Sequence, residues 1–287
     1  MSAQTEDIAI NTANGGVLAA TVFYPPGEVR AAVMLAPATG MLRRFYRPFA
    51  EYLAAAGYAV ITFDNQGLGG SLHGAVKDSQ ASLVSWGQND MPAVLDELQQ
   101  LFPGVSHHLI GHSAGGQLIG LMPNAGGLKS VFNVACSSGS VRNMAMPFRA
   151  KAAFFMRVFM PLSNAVFGCA RNQWLGMGET LPRGVAREWS EWCNGSGYVK
   201  MALGKTVHTH LYDTLAMPSL WLHAPDDDIA TEKNVKEMMA VFSAMPSERL
   251  LLQPADYGLR HIGHMKFFSR QSQQLWALAV EWLGKHA

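Results

Sequence analysis

Short apolar runs that alternate with helix-like segments constrain this chain more than any other feature. Ala31 to Pro37, "AAVMLAP", has no polar alternation, so a strand there needs cover on both faces. "AVITFDNQG", "HHLIG", "LKSVFNVA", "SLWLHA" and "ERLLLQP" repeat the pattern further along. Between them lie segments of helical period: "RPFAEYLAAAGY" stopping at Gly57, "LVSWGQNDMPAVLDELQQLF" with Pro92 inside, "GQLIGLM", "EKNVKEMMAVFSAM" and "QSQQLWALAVEWLGKH". At the start, "EDIAINT" and "LAATVFYPP" flank an Asn14-Gly15-Gly16 turn and read as a hairpin. An antiparallel opening followed by strand–helix alternation predicts an α/β fold, with a mainly parallel central sheet and helices on both faces.

One segment breaks this rhythm. Residues 137–217 show no strand–helix alternation and are rich in Phe, Met and Trp, including Phe148, Phe154, Phe155, Phe159, Trp174, Trp189 and Trp192. Glycines and prolines are expected to cut the segment into short helical pieces. The predicted organisation is a core of residues 1–136 and 218–287, with 137–217 as a helical cap or lid insert. "FRAKAAFFMRVFM" within it is amphipathic and basic; packing on its own domain is the expected role, with no membrane contact.

Composition removes several function classes. The net charge is +1, and no Lys/Arg block or basic stripe with interleaved aromatics points to nucleic acid. Cys136, Cys169 and Cys193 lack C-x-x-C spacing, so free buried thiols in a reducing compartment are expected. The first residues carry no signal-peptide pattern, and no stretch approaches the roughly 18 apolar residues of a membrane span. A cytoplasmic location is the expectation. No H-x-x-x-H or comparable cluster suggests a metal, and no cofactor is expected.

"HLIGHSAGG", residues 108–116, sets Ser113 between Gly111 and Gly115. With 28 glycines in the chain, G-x-S-x-G also arises by chance as an ordinary turn, so context decides. Here a predicted strand precedes the serine and a predicted helix follows it, the setting of a nucleophile elbow. A serine nucleophile needs a base and an acid that orients the base, in the chain order Ser, acid, His. "WLHAPDDDIAT" supplies three aspartates after a strand, and "RHIGHMKFF" supplies two histidines after the last strand. All fall at C-terminal strand ends, where open α/β sheets bind ligands.

"GHSAGG", "FDNQGLGGS", "HAPDDDIAT" and "IGHMKFF" together resemble the α/β-hydrolase superfamily, and within it predicted hydrolases of the serine-aminopeptidase-like and monoacylglycerol-lipase-like group. The resemblance spans nearly the whole chain, with 137–217 matched least. It implies an α/β-hydrolase fold with Asp227 as the acid, three residues after Ala224, and His264 as the base. Asp226, Asp228 and His261 stand as alternates, and His112 as a packing or supporting residue. One oxyanion donor should be the Ala114 amide. The other should come from "APATG", where relatives often carry His-Gly; Pro37 has no N–H, which leaves Ala38 or Thr39, whose hydroxyl could add a donor. Asp64 of "DNQG" is read as a turn former.

The function implied is cleavage of a small or medium, apolar or aromatic carboxylic ester through an acyl-enzyme on Ser113. Trp174 and Trp189 are candidate pocket walls. The expected partner is a small-molecule ester, and a homodimer is compatible with the sequence. Two other readings stay open: an acyltransferase with the same triad, and a non-catalytic binding protein on a hydrolase scaffold. A dehalogenase is disfavoured, because position 113 would need a carboxylate.

Overall fold

The computed structural model describes residues 4–287. Its centre is an eight-stranded sheet in the order β1-β2-β4-β3-β5-β6-β9-β10. Strands β1 (Gln4–Asn11) and β2 (Val17–Tyr24) form the antiparallel hairpin, and β2 also runs antiparallel to β4 (Tyr58–Phe63). The rest are parallel: β3 (Ala31–Ala36), β5 (His107–His112), β6 (Ser130–Val134), β9 (Ser219–His223) and β10 (Ser247–Leu251). Every residue of β3, β4 and β6 is buried, as their unbroken apolar runs require.

Strand order reverses at β3. The chain leaves β3 towards β4 on one side, and β5 adds on the other. The loops after β3 and β5 therefore part at their C-terminal ends and open a crevice between them.

Helix α1 (Arg47–Ala55) ends before Gly57, whose φ of +96° suits a residue without Cβ. Two prolines have a common local effect. α2 (Leu83–Ser85) continues into α3 (Met91–Leu101) through a π-helical turn, Trp86–Asp90, just ahead of Pro92. α5 (Phe148–Phe154) continues into α6 (Met160–Phe167) through a second π turn, Phe155–Phe159, just ahead of Pro161. Proline lacks the N–H for the i−4 carbonyl and crowds it, and a widened turn accommodates both.

Three expectations change. "GQLIGLM" is a single helical turn, α4 (Ala114–Gln117), followed by a 3-10 turn, Ile119–Leu121. Gly115, Gly116 and Gly120 deprive it of helix propensity. "QSQQLWALAVEWLGKH" is helical only from Ala277; Arg270–Leu275 is 3-10, with Ser272 off helical geometry. The insert is less fragmented than expected, because residues 148–167 run as one helix through the π turn. It also holds a two-stranded ribbon, β7 (Cys169–Ala170) with β8 (Leu181–Pro182), and then α7 (Arg183–Asn194).

α8 (Glu232–Met239) and α9 (Ala277–His286) complete the layers. The three cysteines are free and buried. Among the described residues, no helix is long and apolar enough to cross a membrane, and no cluster of His, Cys, Asp and Glu could hold a metal ion.

Candidate active site

The tight turn after β5 explains "GHSAGG". A Cβ on Gly111 would fall 2.5 Å from Cα of Gly116, and one on Gly115 would fall 2.1 Å from the Ala36 carbonyl oxygen of β3. Strand and helix can touch this closely only without those side chains. Ser113, at the apex, has φ +49° and ψ −113°, a strained conformation for a residue with a Cβ. That turn lifts its hydroxyl into the crevice beside β3.

The hydroxyl meets an imidazole there. His264 Nε2 lies 3.1 Å from Ser113 Oγ, and His264 Nδ1 lies 2.8 Å from Asp227 Oδ2. Asp227 is 3% exposed. Its other oxygen accepts the amides of Ile229 and Ala230, both at 2.8 Å. Burial alone would push this carboxyl up. The charge and hydrogen bond of His264, with the two amides, outweigh that and hold it below the ordinary carboxylate range.

The aspartate triplet divides its work. Asp226 receives the amides of Ile262 (2.9 Å) and Gly263 (3.0 Å) and pairs with His261, so it grips the loop that delivers His264. Among the described residues, the Ser113 hydroxyl bonds His264 and neither Asp228 nor His261.

A hydrogen-bonded chain runs beneath these residues. The Ala38 amide donates to Tyr46 Oη at 2.9 Å, Tyr46 Oη lies 2.8 Å from His112 Nδ1, and His112 Nε2 lies 2.9 Å from the His264 carbonyl oxygen. Ala38 is therefore corrected as an oxyanion donor, because its N–H is already committed to Tyr46. Among the described residues, the amides of Thr39 and Ala114 make no hydrogen bond, and both residues lie at the crevice. Tyr46 is the site residue that sequence reasoning missed. It lies ten residues past β3, and only the folded chain brings it under Ala38.

Above Ser113 is a cavity of about 450 Å³. The core supplies Thr39, Ser113, His264 and Met265, and the insert supplies Phe148, Phe155, Met156, Met177 and Trp189. Lys151 is the one Lys, Arg, Asp or Glu among the lining residues. Trp189 packs edge-on against Phe155 at 5.8 Å. Trp174 does not line this cavity and is corrected as a wall residue. It is 57% exposed, packed against Phe167 with the Arg171 guanidinium 4.9 Å from its ring centroid.

Asp64 is bound elsewhere, by the Arg43 amide (2.7 Å), the Arg43 side chain (2.5 Å) and the Gly70 amide (3.0 Å). It is a turn residue, as its motif suggested. Gln66 ties the same loop to buried Asp90 through its amide (2.8 Å) and side chain (2.6 Å).

Solved structures resemble the chain along its length. A soluble variant of monoglyceride lipase from Saccharomyces cerevisiae, in complex with a substrate analogue, superposes with TM-score 0.70 at 13% identity, covering 100% of this chain and 96% of that one. A thermostable carboxyl esterase from Bacillus coagulans gives 0.63 at 13% identity, with coverage of 100% and 99%. An esterase from Pyrococcus furiosus gives 0.62 at 14% identity, with coverage of 99% and 91%. At such identities the likeness is one of fold. No curated protein matches the chain significantly by sequence. The family match is direct: residues 15–277 fit the profile described as the alpha/beta hydrolase family. With that match running from the first hairpin into the last helix, this chain belongs to the alpha/beta hydrolase family.

Proposed function

We propose that this protein is a serine hydrolase that cleaves a carboxylic ester with an apolar acyl or aromatic group, through an acyl-enzyme on Ser113. The observation that carries this reading is the Asp227–His264–Ser113 hydrogen-bonded line at the floor of an apolar cavity.

Ser113 Oγ attacks the ester carbonyl carbon as its proton passes to His264 Nε2. The carbonyl oxygen becomes an oxyanion, held by the amides of Ala114 and Thr39. Asp227 fixes the Nδ1–H tautomer of His264 and stabilises the imidazolium that forms. Collapse expels the alcohol, which takes the proton from His264 Nε2–H. Water then enters, gives a proton to His264 and attacks the acyl carbon. Breakdown releases the acid and returns the proton to Ser113.

The division of the chain fits this reading. Residues 1–136 and 218–287 form the catalytic core, and 137–217 form a cap that supplies most of the apolar wall. The expected substrate is a small molecule, in keeping with the monoglyceride lipase and esterases it resembles. Three buried thiols suit a reducing compartment, and the cytoplasm is the proposed location. A free Thr39 amide favours catalysis over a purely binding role. An acyltransferase would share every step up to the acyl-enzyme and differ only in the acceptor.

The test is labelling with a fluorophosphonate, followed by peptide mapping. One adduct on Ser113, abolished in His264→Ala, is the expected result. A folded protein that takes no label overturns the proposal. Added alcohol or thiol acceptors, with product analysis, separate hydrolysis from transfer.

A further inference from the structure

Of the nine large hydrophobic side chains exposed among the described residues, seven fall within 146–175. Four of them, Phe154 (56%), Val158 (47%), Leu162 (60%) and Val166 (63%), recur every fourth residue along the helical segment 148–167. Ala150, Pro161 and Ala165 are exposed on the same segment, while Ala152, Met156, Met160 and Ser163 are buried. The helix therefore packs one face on its own insert, as expected, and turns a second apolar face to solvent. Trp174, against Phe167 at the end of the helix, and Leu175, which lines the same cavity as Phe154, extend the patch, and Met146 is exposed two residues before the helix begins. A clustered apolar surface of this kind marks an interaction site.

Charge indicates the occupant. Residues 141–178 contain five basic side chains and no Asp or Glu. Arg142 is paired with Glu237, Arg157 bonds Asn194, and Arg171 sits over the Phe167 and Trp174 rings. Among the described residues, exposed Arg149 and Lys151 have no ion-pair partner. A twofold contact between copies would bring these cations towards each other with no acid from the segment to offset them. An anionic headgroup layer would neutralise them while apolar residues enter the acyl boundary. The patch is also continuous with the cavity over Ser113, because Lys151, Phe154 and Leu175 belong to both.

We propose that this face docks on a lipid bilayer bearing anionic headgroups. If the Ser113 reading holds, the ester then passes from the bilayer into the cavity; the docking itself does not depend on that reading.

The test uses the full chain as Ser113→Ala, so that no lipid is consumed, sedimented with phosphatidylcholine vesicles with or without phosphatidylglycerol. Binding should require phosphatidylglycerol and weaken with salt. Leu162→Glu with Val166→Glu should lower partitioning about tenfold or more. Arg149→Gln with Lys151→Gln, in the same Ser113→Ala background, should lower the preference for anionic vesicles. In the active protein, the Leu162/Val166 pair should leave hydrolysis of a short soluble ester unchanged. Absence of vesicle binding, or equal binding by the glutamate variant, overturns the proposal. So does a dimer in light scattering that the glutamate variant dissolves. Docking without ester hydrolysis would overturn the catalytic reading and leave docking standing; hydrolysis without docking would do the reverse.

Discussion

The Tyr46 hydroxyl donates to His112 Nδ1 at 2.8 Å, and this bond joins two sides of the candidate site. The direction follows from the partners. His112 is fully buried, and burial first, then the neighbouring charge of His264, pulls its imidazole down to about 3. The ring is therefore neutral. Its Nε2 faces a carbonyl oxygen, which can only accept, so Nε2 carries the proton and Nδ1 accepts. The Tyr46 oxygen in turn accepts the Ala38 N–H. The loop bearing the Thr39 amide and the backbone of His264 are thus tied through one phenol and one imidazole.

Tyr46→Phe cuts that tie with little change in volume. It leaves the Ala38 N–H and His112 Nδ1 buried without partners, at about 1–3 kcal/mol of stability. The Thr39 amide and His264 should both loosen, lowering kcat about tenfold with little change in KM. Denaturant unfolding and ester kinetics check the pair. Unchanged kcat at reduced stability would limit Tyr46 to a packing role.

His112 also makes stability depend on pH. Unfolded, it takes a proton below its ordinary value of 6.5; folded, it stays neutral down to about 3. Its contribution is therefore complete above 6.5 and lost as pH falls towards 3, at about 1.4 kcal/mol per unit. His108, lowered to about 4 chiefly by burial, acts in the same sense. Asp90, raised to about 7 chiefly by burial, acts in the opposite sense over an overlapping range. The decisive readout is thus the difference between parent and His112→Gln. From pH 6 to 5 the parent should lose about 1.2 kcal/mol more than the variant. Parallel curves would contradict a neutral, proton-excluding His112.

Much of this arrangement was legible in the chain. Unbroken apolar runs marked β3, β4 and β6 because strands covered on both faces cannot alternate. The convergence of Ser113, Asp227 and His264 was legible because each follows a strand whose C-terminal end lies on the same edge of the sheet. The choice between Ala38 and Thr39 was not, since it depends on Tyr46 reaching back to Ala38 from the start of α1. Nor was the solvent-facing apolar stripe of 148–167. An amphipathic pattern reports that one face is buried and says little about the chemistry left outside. The ribbon β7–β8 has strands of two residues, too short for any period-2 signal.

Adjacent aspartates should give different phenotypes. Asp227→Asn removes the acceptor that fixes the His264 tautomer, and kcat should fall about 10³- to 10⁴-fold. Asp226→Asn keeps one oxygen for the Ile262 or Gly263 amide, so the loop should survive with about a tenfold loss or less. Ester kinetics on both variants decide; a reversed order would move the acid to Asp226.

Thr39 separates backbone from side-chain donation. If its amide holds the oxyanion, Thr39→Ala retains the donor and should keep kcat within about threefold. A fall of about 10²- to 10³-fold would instead assign that role to the hydroxyl. Circular dichroism on the same sample excludes unfolding as the cause.

Ser113 sits in a strained backbone conformation. At φ +49° and ψ −113° any Cβ is disfavoured, at about 1–3 kcal/mol. Ser113→Ala and Ser113→Gly should both abolish labelling and ester turnover, but their stabilities should differ. At an ordinary position glycine is less stable than alanine by about 0.5–1 kcal/mol, because its unfolded chain is freer. At this elbow removing Cβ relieves the strain, so the order reverses and the glycine variant should be the more stable by about 1 kcal/mol. Urea unfolding of the two inactive variants, with equal m-values, measures the difference directly. An alanine variant as stable as the glycine one would mean that the elbow relaxes on losing its hydroxyl, and that the strain lies in what the hydroxyl touches.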